Sequence, residues 1–277
     1  MHILYDNFNI KEGEFKQLNG EIILDGSYVR IQFHPSYDYV DFVEGLRPIQ
    51  DDSHNVGFER KDGVFKSLCI TALQNPNKNY VMLIDEINRG EISKIFGELF
   101  FSIDPGYRGK NGKVRTQYAN MQTEPNDFDD ALCVTDPNNF GHFFVPDNVY
   151  IIGTMNDIDR SVESMDFAFR RRFAFKEIKA TDRIEMLDNM TWKDEAIRRM
   201  NCLNAIIEKI EGLSSVYHIG PAYFLKLKNY NGDFDQLWEN HLEGLLFEYL
   251  RGMIEIPAKL KTLAKEYGYT KANDKYV

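Results

Sequence analysis

The chain has 277 residues, 43% hydrophobic and 27% charged, enough for a sizeable core in one large domain or two smaller ones. Its formal net charge of −10 argues against a whole-surface grip on nucleic acid, which needs clustered Lys and Arg, and leaves room only for a local basic patch. No apolar run approaches the roughly 20 residues of a membrane-spanning helix, and residues 1–6 lack the basic and apolar stretches of a secretory signal. The three cysteines and six histidines show neither disulfide nor metal-ligand spacing, the pattern of reduced thiols in the cytoplasm.

In chain order, residues 28–33, 80–84 and 149–154 read as strands. Arg30 and Gln32 interrupt the first, so it alternates like a half-exposed strand. The other two are short apolar runs, as in parallel strands covered on both faces. Between them Ile92, Ile95, Phe96, Leu99 and Ile103 recur at helical steps, predicting one helix over 91–103 that Asp104-Pro105-Gly106 stops. Residues 107–148 are too long and too rich in Gly, Asn, Asp and Pro for an ordinary connection. Gly109–Gly112 followed by residues 114–118 suggests a hairpin insertion there, and residues 126–139 a mobile acidic loop. Residues 173–178 alternate in part, as a fourth strand nearer an edge.

Beyond Lys179 the pattern becomes helical. Thr181 or Asp182 caps a short helix, Ala196 to Ile210 marks a longer one ending at Gly212, and Phe234 to Leu250 a third. Residues 222–225 fit a short helix or a strand. The expected architecture is therefore a layered α/β domain with a parallel sheet over 1–179 and a helical subdomain over 180–277.

Two apolar strands end in polar groups. Residues 81–84 run into Asp85 and Glu86, placing both carboxylates at the edge of the sheet where open α/β folds bind ligands. In a Mg²⁺-nucleotide site the first acid helps hold the metal, and the second orients and polarises the attacking water. The same pair could instead simply open the next loop, with Asn88 or Ser93 capping a helix. The other strand ends at Asn156, whose amide can bond a γ-phosphate oxygen and the water, or only local turn amides. Arg170-Arg171-Arg172 closes a helix before the fourth strand, and three consecutive arginines cannot share one environment. They form either a solvated cluster at a helix C-terminus or an arginine finger reaching the γ-phosphate of a neighbouring subunit.

The order of residues 85–89, 155–161 and 166–173 resembles the McrB family, the GTP-hydrolysing AAA+ motor subunits of restriction systems directed at modified cytosine in DNA. That family's Met-Asn-x-x-Asp-Arg signature stands intact at Met155–Arg160. Residues 32–48 resemble the family's segment after the first helix. Residues 219–224 resemble its lid motif, which more often has a polar residue in place of Pro221. The MoxR or dynein-like branch is a weaker alternative, against which the signature speaks. The resemblance implies an AAA+ P-loop NTPase-type α/β/α domain with a helical lid. It implies Asp85 and Glu86 as the Walker B pair, with Asp85 on the metal, and Asn156 as sensor 1. Asn88, Asp159 and Arg160 would form the network on the nucleotide that positions water and couples subunits, and one or more of Arg170, Arg171 and Arg172 the trans finger, with Arg170 and Arg171 ahead of Arg172 beside the strand. Tyr37, Tyr39 and Phe42 read as packing residues. The implied cofactor is Mg²⁺ with GTP or ATP. The implied partners are further copies in a hexameric ring, an McrC-like endonuclease and, indirectly, DNA, with no membrane.

One part of the pattern is missing. No G-x-x-x-x-G-K-[ST] loop occurs: Gly13, Gly20 and Gly26 precede no Gly-Lys-Ser or Gly-Lys-Thr, and Gly106 to Lys113 has the wrong spacing. The resemblance then implies a truncated chain that enters the fold after its first strand and helix. A central part of the sheet would be left uncovered and poorly soluble unless a partner covers it. Two functions follow: a motor subunit coupling GTP or ATP hydrolysis to DNA translocation and restriction, or a non-catalytic fragment that binds neighbouring subunits but not nucleotide.

Overall fold

The apolar runs around Val81 and Ile151 become neighbouring strands, and the sheet extends outward from them. The computed structural model describes residues 2–5, 16–17, 27–50, 54, 56–121, 142–156 and 167–276. These fall into two units, 2–176 and 177–277, each with its own hydrophobic cluster.

In the first unit the strands are β1 (His2–Tyr5), β2 (Lys16–Gln17), β3 (Ser27–Gln32), β4 (Glu44–Gln50), β5 (Val56–Asp62), β6 (Tyr80–Asp85), β7 (Val114–Arg115), β8 (His142–Phe143), β9 (Val149–Met155) and β10 (Ala174–Glu177). One sheet takes the order β10-β1-β9-β6-β3-β2, in which β2, β3, β6 and β9 run parallel. Ile84 stands between Ile31 and Gly153, so β6 and β9 end at the same edge.

Successive residues of a strand face opposite sides. Val29, Tyr80, Met82, Ile84, Val149 and Ile151 share the side that packs into the core with Phe42, Phe65, Leu68 and Phe96. On the other side Val81 is buried, Leu83, Tyr150 and Ile152 are half-buried, and Arg30 is exposed. Among the described residues, the full cover expected on both faces from the apolar runs is thus found on one face only. The central part of the sheet, expected to be uncovered, is occupied. β1 lies there, antiparallel, with His2 opposite Met155 and Tyr5 opposite Ile152. An open strand edge leaves a row of amides and carbonyls without partners, and even a short reversed strand satisfies them.

Helix α1 (Tyr39–Phe42) begins at Asp38, whose carboxylate accepts from the amides of Val40 and Asp41. It leads into the antiparallel β4–β5 hairpin, and α2 (Val64–Gln74) follows. The hairpin carries no sequence signal because most of its residues are exposed and no apolar face repeats. Its base is held by a buried charge cluster. Fully buried Glu44 accepts from Lys66 at 2.5 Å, Arg60 at 2.8 Å and the Tyr118 amide at 3.0 Å. Burial pushes this carboxyl's pKa up, but the Lys66 charge and hydrogen bond, with bonds from Thr116 and Tyr118, bring it below its ordinary 4.5.

Removing one partner of a buried pair strands the other charge, so Lys66→Met is expected to cost about 3 kcal/mol. Glu44's folded pKa is depressed, so its contribution is complete above its unfolded value and is lost as pH falls through the folded value. Urea unfolding at neutral and acid pH measures both effects. Wild-type stability in Lys66→Met, or an acid-linked loss undiminished in Glu44→Gln, would contradict this role.

The helix expected over 91–103 is two, α3 (Ile92–Phe96) and α4 (Leu99–Ser102), with Gly97 between them at φ 51°. A Cβ there would lie 2.7 Å from the Tyr39 ring, so only glycine lets the chain turn so close to it. The apolar stripe still buries Ile92, Ile95, Phe96, Leu99 and Ile103. The insertion is not a local hairpin: Gly109–Gly112 is a 3-10 turn, and β7 pairs with β8 instead. Residues 126–139 lie outside the described residues. Tyr37 stacks on Phe33 at 5.0 Å and Phe42 on Phe65 at 4.8 Å, as packing residues do. Helix α5 (Phe167–Arg170) precedes β10.

The second unit is helical. Neither Thr181 nor Asp182 caps a helix; Asp182 accepts from the Lys179 amide at 3.0 Å, and a 3-10 turn follows at Ile184–Leu187. Its helices include α6 (Lys193–Ile207), α7 (Pro221–Phe224), α8 (Phe234–Leu237), α9 (Glu243–Leu250) and α10 (Ile256–Tyr267), which packs on α6. The helix expected from Phe234 to Leu250 runs unbroken, its turn at Trp238–Leu242 widened to π-helix between α8 and α9. Buried Asn204 on α6 donates to the Ile219 carbonyl at 3.0 Å and accepts from its amide at 2.8 Å, fixing the chain entering α7. Among the described residues no helix is long and apolar enough to cross a membrane.

Candidate active site

Asp85 closes β6, and Glu86 then turns into the left-handed region at φ 52°, ψ 47°. Few non-glycine residues adopt that conformation, and those that do cluster at functional sites. A 3-10 turn, Ile87–Arg89, follows. Asp85 Oδ1 accepts from the Thr154 hydroxyl at 2.5 Å and Oδ2 from Arg30 at 2.8 Å. The same Thr154 oxygen accepts from the Glu86 amide at 3.4 Å, and Asn156 Nδ2 donates to Glu86 Oε1 at 3.4 Å. The ends of β6 and β9 thus bring Asp85, Glu86, Thr154 and Asn156 together.

The hydrogen bonds from Thr154 and then Arg30 hold the Asp85 carboxyl below its ordinary 3.8, so it is ionised at neutral pH. Glu86 Oε2 and Asn88 Oδ1 are buried atoms without a hydrogen-bond partner among the described residues. Arg89 Nε lies 3.4 Å from that Glu86 oxygen, within ion-pair reach but outside hydrogen-bond geometry. Neither Asn88 nor Ser93 caps α3, which starts at Glu91 without a side-chain cap.

The turn rests on Gly153. A Cβ at that position would lie 2.8 Å from Ile87 Cδ1, so the glycine lets Ile87, and with it Glu86 and Asn88, sit against β9. Gly153→Ala is expected to cost about 1–3 kcal/mol through overpacking. Thermal unfolding measures it, and an unchanged midpoint would show that the turn does not depend on this contact.

The three arginines have three environments. Arg172 is nearly buried, bonds the Ala168 carbonyl and lies 4.2 Å from the Phe100 ring centroid. Arg170 lies 5.3 Å from the Phe175 ring centroid. Arg171 is exposed and has no partner among the described residues. Arg170 and Arg171 line a cavity of about 480 Å³ with Met155, Phe167 and Phe175, and Phe167 is 84% exposed.

Residues 18–173 match the AAA domain (dynein-related subfamily). This chain belongs to that AAA family, as an McrB-like member. It is 37% identical over 203 residues to the "Type IV methyl-directed restriction enzyme EcoKMcrB subunit" of Escherichia coli (strain K12), covering 70% of this chain and 39% of that protein. It is 28% identical over 199 residues to the "Type II restriction enzyme BsuMI component YdiS" of Bacillus subtilis (strain 168), covering 63% and 54% respectively. The McrB-like chain therefore spans about two fifths and about half of these relatives. The dynein-like branch is not a rival to the McrB resemblance, since the matching family is itself described as dynein-related.

Of the residues singled out from sequence, the McrB-like chain brings together Asp85, Glu86 and Asn156, with Asn88 on the adjoining turn. Asp159 and Arg160 lie outside the described residues. Thr154 and Arg30, both on Asp85, were not singled out. The donor set fits a nucleotide-borne Mg²⁺, a hard ion that takes one or two carboxylates and completes its shell with water and phosphate oxygens. Among the described residues no cluster of three or more His, Cys, Asp or Glu could hold a metal alone. Orphaned Glu86 Oε2 and Asn88 Oδ1 are acceptors suited to water or a metal-bound water.

Proposed function

We propose that this chain is a nucleoside triphosphatase subunit of a cytoplasmic restriction assembly. It couples hydrolysis of GTP or ATP to DNA translocation and cleavage by a partner endonuclease of the McrC type. The observation that carries this reading is the meeting of Asp85, Glu86, Thr154 and Asn156 at the ends of β6 and β9. Asp85, kept ionised and oriented by Thr154, would hold Mg²⁺. The metal's contribution when bound is to neutralise charge on the β- and γ-phosphates.

Glu86 accepts a hydrogen bond from the attacking water and takes up its proton as the water oxygen bonds to the γ-phosphorus; the bond from that phosphorus to the β–γ bridging oxygen breaks, releasing nucleoside diphosphate and inorganic phosphate. Asn156 orients Glu86 and donates to the γ-phosphate. Asn88, Asp159 and Arg160 form the network around nucleotide and water, and the second unit acts as the lid. Copies assemble as a hexameric ring, in which Arg171 reaches the nucleotide of the next subunit, with Arg170 supported on Phe175 beside it.

A second reading, a non-catalytic subunit that docks on its neighbours, is favoured by one observation: Arg30 already occupies Asp85. Equilibrium binding of fluorescent GTP and ATP to the full chain, with and without Mg²⁺, separates the two. Tight Mg²⁺-dependent binding would remove the non-catalytic reading. Hydrolysis absent even when a phosphate loop is docked on the chain would remove the motor reading.

A further inference from the structure

Arg30 stands in the middle of β3, where a strand covered on both faces would carry an apolar residue. In the ladder with β6 it lies beside Leu83, and Gln32 is the residue beside Asp85. Its guanidinium nevertheless reaches two residues further along β6, and Nη2 donates to Asp85 Oδ2 at 2.8 Å. Alternation along the paired strands puts Arg30, Leu83, Asp85 and Thr154 on one face of the sheet. The Arg30 side chain is 63% exposed, and its partner is one-third exposed. An ion pair so open to water adds little to stability, so folding does not explain why an arginine is placed here.

The pair decides what Asp85 can hold. Thr154 takes Oδ1 and Arg30 takes Oδ2. A divalent cation and a guanidinium on one carboxylate repel each other strongly, so Arg30 resists the arrival of a bare metal ion. A triphosphate changes this balance. The cation that a nucleotide carries lies against its β- and γ-phosphate oxygens, so phosphate reaches Asp85 together with it. The guanidinium fork fits phosphate as well as carboxylate, and little packing holds Arg30 where it is.

We propose that Arg30 is a phosphate-binding residue of this site that acts within its own chain. In the free chain it holds Asp85, and it exchanges that carboxylate for triphosphate oxygens when nucleotide and cation bind together. The exchange couples the two ligands. Metal alone has to break the Arg30–Asp85 pair without compensation, whereas with triphosphate the released guanidinium gains a new anion. This rests on the nucleotide-hydrolysing reading above; in the non-catalytic reading the pair is permanent.

The test compares wild type with Arg30→Met, which removes the charge, and Arg30→Lys, which keeps the charge without the fork. The side chain is exposed, so both variants keep the fold. Mn²⁺ is the probe for the cation, with free ion counted by its electron paramagnetic resonance signal. Asp85→Asn identifies the part of that binding that belongs to this carboxylate, since the chain has 43 Asp and Glu. Fluorescent GTP with Mg²⁺ is the probe for triphosphate, read by anisotropy. In Arg30→Met, the Asp85-dependent binding of Mn²⁺ alone is expected to tighten about threefold or more. Binding of Mg²⁺·GTP is expected to weaken about tenfold in the same variant, with Arg30→Lys between it and wild type on both measures. Shifts of opposite sign are what a merely structural role does not produce. Both affinities moving the same way, or either one unmoved, overturns the proposal. Opposite shifts without GTP hydrolysis leave the exchange standing and remove the hydrolytic reading; hydrolysis by a chain whose affinities ignore Arg30→Met does the reverse.

Discussion

Glu86→Gln is expected to lower phosphate release by about 10²–10⁴ while leaving nucleotide affinity nearly unchanged. Gln has the same shape and can still meet Asn156, now 3.4 Å from Glu86 Oε1, but it cannot act as an anionic acceptor toward water. The left-handed backbone at this position is kept, because the substitution alters only the head of the side chain. Asp85→Asn is expected to behave differently. It removes the anion held by Thr154 and Arg30, so Mg²⁺-dependent binding falls together with turnover. Single-turnover phosphate release beside equilibrium nucleotide binding separates the two. Wild-type release in Glu86→Gln would refute the assignment of Glu86.

The second large effect lies between subunits. Arg171→Ala is expected to lower turnover by about 10³–10⁵ in assembled protein, the usual effect of losing a guanidinium from a phosphoryl-transfer transition state. Arg171 is favoured because it is exposed and unpartnered among the described residues, whereas Arg172 is enclosed against Phe100 and Arg170 lies beside Phe175. Mixing Arg171→Ala with Glu86→Gln subunits is expected to restore some activity. A site using Glu86 of the first variant and Arg171 of the second is intact. Turnover as a function of mixing ratio measures this. A maximum at intermediate ratios supports action in trans, and a strictly additive line contradicts it. Arg172→Ala should instead reduce stability through lost packing on Phe100.

Much of this site was legible because its parts stand at the ends of apolar runs. Residues 81–84 and 151–155 declare β6 and β9 by composition, and the polar residues that follow must emerge at the sheet edge. What spacing cannot supply is register. Once Ile84 is paired with Gly153, the next residues, Asp85 and Thr154, necessarily stand side by side; without that pairing Thr154 is simply a polar residue late in a strand. Arg30 registered only as an interruption of alternation, although it stands beside Leu83 and so shares the face of Asp85.

Elsewhere the missing information was tertiary. The β4–β5 hairpin has no buried face to imprint a period of two, and its anchor is the Glu44 charge cluster, assembled from residues far apart in sequence. The stripe from Ile92 to Ile103 correctly marked a buried surface, but the break at Gly97 depends on the Tyr39 ring arriving from another helix. Nor does composition give a four-residue strand its direction, and the reversed β1 changes an expected open gap into an occupied one.

The central claim is that the joined ends of β6 and β9 hydrolyse nucleotide once phosphate is held beside them. Its most direct test is Mg²⁺-dependent phosphate release from GTP by the full chain mixed with a polypeptide that carries an apolar strand, a Gly-x-x-x-x-Gly-Lys-Thr loop and a helix. The expected result is release above the sum of the two components, saturating as polypeptide is added and abolished by Glu86→Gln. Release no greater than that sum, with the polypeptide demonstrably docked, would contradict it.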